Sequence, residues 1–117
     1  MLTFRTVIRD NVQALHDADT IIGISEGELD AQIATLAGIP TAGVPGAKNW
    51  KPFYTRLFED YEQVLIFGDG DKAGREFTGK LLAVLPAGEA RLLPKDHDIN
   101  SYVLENGADS FREFAVG

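Results

Sequence analysis

The stretch Phe67-Gly68-Asp69-Gly70-Asp71-Lys72-Ala73-Gly74-Arg75 closes an apolar run, Gln63–Phe67, and opens a helix-like pattern. An apolar run that ends in a glycine-flanked carboxylate and gives way to helical spacing predicts a buried strand, an acidic loop and a helix. The same order occurs earlier, where the run Thr20–Ile24 leads into Ser25-Glu26-Gly27-Glu28-Leu29-Asp30. Two such units along one chain predict parallel strands with their loops on one edge of a sheet.

Two further strands continue the alternation, and they are predicted at Thr41–Val44 and Glu89–Leu93. The later strand leads into a third acidic loop, Asp96-His97-Asp98. A helix from Ile99 to Glu105 follows, which we expect Asn106-Gly107 to end. The predicted fold class is therefore α/β, a Rossmann-like arrangement of about four mainly parallel strands flanked by helices.

Three helices between the strands are predicted from apolar residues at helical spacing. The residues expected to face the core are Leu29, Ile33, Leu36 and Ala37, then Phe53, Leu57 and Phe58, and then Ala73, Phe77, Leu81 and Val84. Aromatic residues on such helices usually pack in the core, whereas Trp50 is left open between the core and a base-stacking surface. Residues 1–19 are expected to form an N-terminal extension that could contain an edge strand and a short helix.

Composition narrows the class of protein. A chain of 117 residues with 44% hydrophobic and 25% charged residues is typical of one globular domain, and no apolar stretch approaches the roughly 20 residues of a membrane span. Because the chain has no cysteine, it has no disulfide, thiolate zinc site or thiol nucleophile, and we expect a cytoplasmic protein. The formal net charge of −7 argues against sequence-independent wrapping of DNA, which depends on Lys and Arg.

Acidic residues after three predicted strands form the candidate site. Glu26, Asp69, Asp71 and Asp98 would meet at one edge of a parallel sheet although they are far apart in sequence. Clustered carboxylates repel one another unless a cation compensates, and hard oxygen ligands suit Mg²⁺ or Mn²⁺. An Asp-Gly-Asp loop alone is more often a plain turn, and an acid in the first turn of a helix often only complements the helix dipole. The combination in several loops nevertheless predicts a divalent-metal site.

Two basic residues follow the second acidic loop. Lys72 and Arg75 fall in the first turn of the predicted helix, where free backbone N–H groups and the helix dipole favour an anion. Lys51, Arg56 and Lys80 are more simply interpreted as solvated positions on helix faces. The sequence thus places candidate phosphate ligands beside candidate metal ligands.

These motifs resemble those of Toprim domains, the catalytic module shared by bacterial and phage primases, topoisomerases and some nucleases. Ile24–Asp30 resembles the family's Glu-containing first motif, and Asp69–Arg75 resembles its Asp-x-Asp motif in the form typical of primases. Gly43–Ala47 is similar to the turn after the second strand, and Leu92–Tyr102 to a primase segment that supplies another metal-binding Asp. At Asn100 some bacterial primases carry a further acid, so the resemblance implies either fewer ligands or a water-mediated contact there. The resemblance implies a Toprim domain over residues 20–117.

The resemblance also implies a role for each acidic residue. Asp69 and Asp71 would hold the metal ions, and Asp98 would contribute to holding them. Glu26 would be either a ligand or a general base. In nucleotidyl transfer a 3′-hydroxyl attacks an α-phosphorus, and Glu26 would lie beside that hydroxyl.

Three more residues would assist the reaction. Lys72 or Arg75 would neutralise charge on a nucleoside triphosphate. Asp30, one helical turn beyond Glu26, would orient Lys72 or bind a metal-bound water without contacting the metal itself.

By this resemblance the chain is expected to be the catalytic domain of a DNA primase, which joins ribonucleotides into RNA primers. The expected partners are a single-stranded DNA template, ribonucleoside triphosphates and a helicase or other primase modules, in the cytoplasm of a bacterium or a phage-infected cell and away from membranes. The chain has no Cys for a zinc module and no Walker A motif, so partner domains would supply those functions. The alternatives are a stand-alone Toprim nuclease that uses Mg²⁺ or Mn²⁺, a non-catalytic metal- or phosphate-binding adaptor, and a receiver-like domain phosphorylated on Asp69.

Overall fold

The computed structural model describes residues 20–44 and 50–117. Within these residues four strands alternate with four helices. The strands are β1 (Ile21–Glu26), β2 (Thr41–Val44), β3 (Gln63–Gly68) and β4 (Gly88–Leu92), and the helices are α1 (Glu28–Leu36), α2 (Pro52–Leu57), α3 (Lys72–Leu82) and α4 (Ile99–Val116). The predicted N-terminal extension, residues 1–19, and most of the turn that follows β2 lie outside the described residues.

The four strands form one parallel sheet in the order β2-β1-β3-β4. Ile24 in the middle of β1 pairs with Ala42 of β2 on one side and with Ile66 of β3 on the other. The two central strands, β1 and β3, are nearly continuous apolar runs because helices cover both faces of the sheet. The predicted α/β class and the parallel four-stranded sheet are confirmed.

The strand order reverses between β1 and β3. The chain leaves β1 towards β2 on one side and leaves β3 towards β4 on the other. The loops after these two central strands therefore diverge and leave a crevice at their carboxyl ends, which is where open α/β sheets bind ligands. Glu26 ends β1 and Asp69 directly follows β3 at this crevice.

Each face of the sheet carries its own core cluster. One cluster joins β-strand residues to α2 and α3, and its largest members include Ile24, Phe58, Ile66, Phe77 and Leu81. The other joins the opposite face to α1 and α4, and its members include Ala34, Leu65, Phe67, Ile99 and Phe111. Successive residues of β3 alternate between the two clusters, as the pleat of a strand requires.

The predicted core face of α1 is wrong at two positions. Leu29 is 59% exposed and Leu36 is 87% exposed, whereas Ala31 and Ala34 are fully buried. Small residues face the sheet because the backbone at the start of α1 comes very close to β2. A Cβ atom at Gly43 would lie only 2.6 Å from the carbonyl oxygen of Gly27.

The predicted faces of α2 and α3 are right in part. Phe58, Phe77 and Leu81 are buried as expected. In contrast, Phe53 and Leu57 of α2 are exposed, as are Ala73 at the start of α3 and Val84 beyond its end. Trp50 is partly buried: it packs against the core cluster and donates from Nε1 to Thr55 Oγ1 at 2.9 Å, which favours the core interpretation over a base-stacking surface.

The last helix is longer than predicted. Gly107, at φ 87°, interrupts the helical backbone at the expected stop, but a second helical segment continues to Val116. That segment buries Phe111 and Ala115, and the ring centroid of Phe111 lies 5.3 Å from that of Phe67 in β3. Packing on the sheet therefore holds a segment that the glycine separates from the rest of α4. Among the described helices, none combines the length and the apolar character that a membrane crossing requires.

Candidate active site

Four predicted site residues lie in the loops at the carboxyl ends of the strands. Glu26 ends β1, Asp69 follows β3, Asp71 immediately precedes α3 and Asp98 immediately precedes α4. The structure brings these four side chains to the same edge of the sheet, around the crevice between β1 and β3.

Close backbone packing explains two glycines, Gly70 in the second acidic loop (Asp69–Asp71) and Gly74 in the first turn of α3. A Cβ atom at Gly70 would lie 1.9 Å from the carbonyl oxygen of Pro94, and one at Gly74 would lie 2.0 Å from the carbonyl oxygen of Asp69. Real side chains do not tolerate such distances, so both positions require glycine. The spacing of the Asp-Gly-Asp-Lys-Ala-Gly motif is therefore dictated by how the loop packs.

Two backbone hydrogen bonds join the second acidic loop to the third. The Gly70 N–H donates to the carbonyl oxygen of His97 at 2.8 Å, and the Asp96 N–H donates to the carbonyl oxygen of Gly70 at 2.9 Å. These bonds fix the backbone that carries Asp69 and Asp71 relative to the backbone that carries Asp98.

Asp71 and Asp98 also cap helices. Asp71 Oδ1 accepts from the Gly74 N–H at 2.7 Å, and Asp98 Oδ1 accepts from the Ser101 N–H at 2.8 Å. Ser101 Oγ in turn accepts from the Asp98 N–H at 3.1 Å, which completes a capping box. Because each carboxylate has two oxygens and several lone pairs, a capping bond to one oxygen is compatible with a cation at the other.

Asp30 lies beside the other acidic residues, but it makes a contact that the sequence did not predict. Its side chain is buried, and Oδ1 accepts from the Asn100 N–H in the first turn of α4 at 3.2 Å. Asp30 therefore links α1 to the start of α4. The sequence offered Lys72 as the partner of Asp30. Instead, Lys72 Nζ lies 4.0 Å from Glu76 Oε1, and the Lys72 side chain is 84% exposed.

The surroundings of Asp69 change its ionisation. Burial, and then the nearby carboxylates of Asp30, Asp98, Asp71 and Glu26 in that order of strength, together raise the pKa of Asp69 to about 6. Such mutual repulsion shows that five carboxylates share one small region.

Two more of these groups are shifted in the same direction. Burial raises the pKa of Glu26, and the charge of Asp71 adds to the effect. Burial and the charge of Asp98 raise the pKa of Asp30, while hydrogen bonds from the backbone N–H groups at the start of α4 partly oppose the shift. A positive charge in the crevice would favour the ionised form of all three carboxyl groups and so would oppose these upward pKa shifts.

The carboxylate oxygens at the crevice suit a hard divalent cation of the Mg²⁺ type. In the described part of the chain, no three His, Asp or Glu side chains are already arranged to enclose a metal ion. Mg²⁺ does not need such a cage, because it is usually held by one or two carboxylates, keeps several waters and binds substrate phosphates. The carboxylates at the crevice match that requirement in type and number.

Arg75 faces the same region from the first turn of α3. Together with Asp69 it lines a cleft of 320 Å³ beside the acidic residues. Lys95, which the sequence did not single out, lines the same cleft. Its only sequence signal is its position immediately before the third acidic loop.

His97 lies in the third acidic loop and is tied into α4. Its Nδ1 lies 2.9 Å from Ser101 Oγ, and its Nε2 lies 3.3 Å from Glu105 Oε2. With its carbonyl oxygen bound to Gly70, the residue contributes to holding the two loops together.

Comparison with known proteins gives consistent matches. The family model described as Toprim-like matches residues 24–103. The Gene 57 protein of Mycobacterium phage D29 is 43% identical over 103 residues, which cover 88% of this chain and 68% of that protein.

Two solved structures show the same fold. The structure of the DnaG catalytic core matches with a TM-score of 0.75 and 23% identity, over 89% of this chain and 37% of that chain. The primase fragment of the bacteriophage T7 primase-helicase protein matches with a TM-score of 0.68 and 25% identity, over 80% of this chain and 43% of that chain. This chain therefore spans less than half the length of either structure.

Proposed function

The chain belongs to the Toprim-like family, and from this premise we propose that it is the catalytic domain of a DNA primase that synthesises RNA primers on single-stranded DNA by metal-dependent nucleotidyl transfer. The observation that carries the proposal is the gathering of carboxylates at the crevice between β1 and β3, where burial and then four neighbouring carboxylates raise the pKa of Asp69 to about 6. The relatives of known structure, a DnaG catalytic core and the T7 primase fragment, support primase over the other activities of the family.

We assign the metal-holding role to Asp69 and Asp71, with Asp98 contributing from the adjoining loop. The two backbone hydrogen bonds between these loops support the assignment, because they hold together the backbone segments that carry the three carboxylates. When bound, Mg²⁺ or Mn²⁺ would supply positive charge that makes the 3′-hydroxyl more acidic and offsets negative charge on the phosphates and the departing pyrophosphate.

We assign to Glu26 the task of accepting the proton of the 3′-hydroxyl. It stands across the crevice from Asp69, at the end of the neighbouring strand. Burial, and then the charge of Asp71, raise the pKa of Glu26 above its ordinary value, and a raised pKa makes a carboxylate a better proton acceptor.

Template binding would depend on other modules of the replication machinery. The net charge of −7 gives this chain little capacity to bind a DNA strand by phosphate neutralisation alone. One structural relative is the primase part of a primase-helicase, and this chain spans only 43% of that fragment. We therefore propose that a helicase or other primase modules present the single-stranded DNA to the crevice.

A single incubation tests the proposal. The protein, with the helicase or primase modules of its own replication system, is mixed with single-stranded DNA, labelled ribonucleoside triphosphates and Mg²⁺ or Mn²⁺, and the products are separated on a gel. We expect short RNA products from the wild type, none from Asp69→Asn or Glu26→Gln, and normal amounts from Glu113→Gln, which changes an exposed carboxylate on α4.

The same gel distinguishes the alternatives. Metal-dependent loss of the DNA in the absence of triphosphates would replace primase with nuclease. Neither synthesis nor cleavage, with the partner modules present, would contradict a catalytic role and favour a metal- or phosphate-binding adaptor.

A further inference from the structure

The cleft beside the acidic residues has walls of two different kinds. The second acidic loop, α3, the end of β4 and the following loop all contribute to it, through Asp69, Gly70, Arg75, Leu92, Leu93 and Lys95. Asp69 connects the cleft to the carboxylates at the crevice, while Arg75 and Lys95 supply positive charge. Leu92 is 42% exposed and adds an apolar surface.

Arg75 and Lys95 are free to meet an anion. Three other basic side chains among the described residues, Lys72, Arg91 and Arg112, lie within ion-pair distance of a carboxylate. In the same part of the chain neither Arg75 nor Lys95 has such a partner. An anion in the cleft would therefore gain their attraction without breaking an existing pair.

We propose that this cleft binds the phosphate groups of the incoming nucleoside triphosphate and that Lys95, together with Arg75, holds them. The proposal rests on the nucleotidyl transfer proposed above. It adds Lys95 as a phosphate ligand and removes Lys72, the alternative that the sequence offered, because Lys72 is solvated beside Glu76 and does not line the cleft.

The size and charge of the cleft favour a small anion over a nucleic-acid strand. Its volume of 320 Å³ is near the lower limit of small-ligand pockets, about 300 Å³. A DNA backbone would instead need a row of basic residues along an extended surface, and this chain carries a net charge of −7. A triphosphate placed here would have its phosphate oxygens between the Arg75 and Lys95 side chains on one side and the proposed metal-holding carboxylates on the other.

Binding can be measured without any chemistry. Isothermal titration calorimetry with ATP and with inorganic tripolyphosphate, in Mg²⁺ and at low salt, would compare the wild type with Lys95→Gln and Arg75→Gln. Lys72→Gln and Lys80→Gln are matched controls, since both remove an exposed lysine charge from α3 outside the cleft. A single-stranded oligodeoxynucleotide is titrated in parallel.

We expect Lys95→Gln and Arg75→Gln each to weaken the binding of both triphosphates about tenfold, the usual effect of losing one charge-assisted hydrogen bond. The affinity of the two control variants for both compounds should stay within about twofold of the wild-type affinity. Removal of a surface charge that makes no direct contact with a ligand changes the binding free energy only slightly. Wild-type affinity for triphosphates in Lys95→Gln would overturn the proposal, as would a wild type that binds neither compound. If Lys95→Gln and Arg75→Gln weakened only the binding of the oligodeoxynucleotide, that result would also overturn the proposal. It would assign Lys95 and Arg75 to the binding of a DNA strand.

These results are separable from the test of primer synthesis. A protein that binds ATP through Lys95 but makes no primers would contradict the proposed primase function and leave the assignment of the cleft standing. Primer synthesis with an unchanged KM for ATP in Lys95→Gln would contradict the assignment of the cleft alone.

Discussion

Replacement of Asp69 by Asn should stabilise the metal-free protein, although it should destroy the proposed activity. In the folded chain burial and four neighbouring carboxylates raise the pKa of Asp69 from 3.8 to about 6. A shift of one unit corresponds to about 1.4 kcal/mol, so ionisation of Asp69 costs the folded state at most about 3 kcal/mol. Because the carboxyl group is only half-buried and solvent screens it, we expect about 1 to 2 kcal/mol.

The pH dependence has a definite sign. A folded-state pKa above the unfolded value means that the native protein binds more protons than the unfolded chain between these two values. The contribution of Asp69 to stability is therefore fully present below pH 3.8 and is lost as the pH rises through about 6. Because Asn cannot ionise, the free energy of unfolding of Asp69→Asn should exceed that of the wild type by the full amount at pH 7.5, and the difference should vanish in strong acid.

Urea unfolding followed by circular dichroism measures this effect. In EDTA at pH 7.5, Asp69→Asn should have a higher free energy of unfolding than the wild type, while Glu113→Gln should match the wild type. Addition of Mg²⁺ should stabilise the wild type and have little effect on Asp69→Asn, because a ligand stabilises only the state that binds it. A variant that is equal to or less stable than the wild type in EDTA would refute the electrostatic reasoning.

Three further predictions follow from single contacts. Glu26→Gln should lower the rate of primer synthesis by about 10² or more, measured on the gel, with an unchanged Kd for ATP, because it removes the proposed proton acceptor. Gly70→Ala should lower the free energy of unfolding in urea by about 2 kcal/mol or more, since its Cβ would meet the carbonyl oxygen of Pro94. The control Gly79→Ala changes a helix position with open space and should raise the free energy of unfolding by about 0.5 kcal/mol. Asp30→Ala should lower the free energy of unfolding by about 1 kcal/mol, because the Asn100 N–H loses its acceptor, and Asp30→Asn, which keeps an acceptor oxygen, should cost less. Equal unfolding free energies for both members of either pair would contradict the corresponding contact.

The order of strands and helices was predictable because it rests on local pattern. The apolar runs before Glu26 and Asp69 are strands, and Lys72 begins a helix as its position after the acidic loop predicted. The short connections of a parallel sheet then determine which edge the loops share. The family motif added the expectation of a Toprim fold to this local information, but the order of the strands in the sheet was not predicted.

Contacts between distant segments were not predictable from the sequence. Leu29 and Leu36 follow the spacing of a core face, but the close approach of α1 to β2 buries alanines there instead. The partner of Asp30 lies seventy residues along the chain, in the backbone of Asn100, so no local pattern indicated it. The continuation of α4 beyond Gly107 depends on packing against β3, which overrides a local stop signal.

The most direct test of a divalent-metal site at the crevice is a Mn²⁺ titration followed by electron paramagnetic resonance, in which the signal of free Mn²⁺ falls on binding. We predict binding by the wild type and an affinity at least about tenfold weaker in Asp69→Asn and Asp71→Asn, a loss typical even of residues that only support metal ligands. Asn remains a good helix cap, so Asp71→Asn should keep the start of α3 intact. An undiminished signal of free Mn²⁺ with the wild type, or unchanged affinity in both variants, would contradict the account.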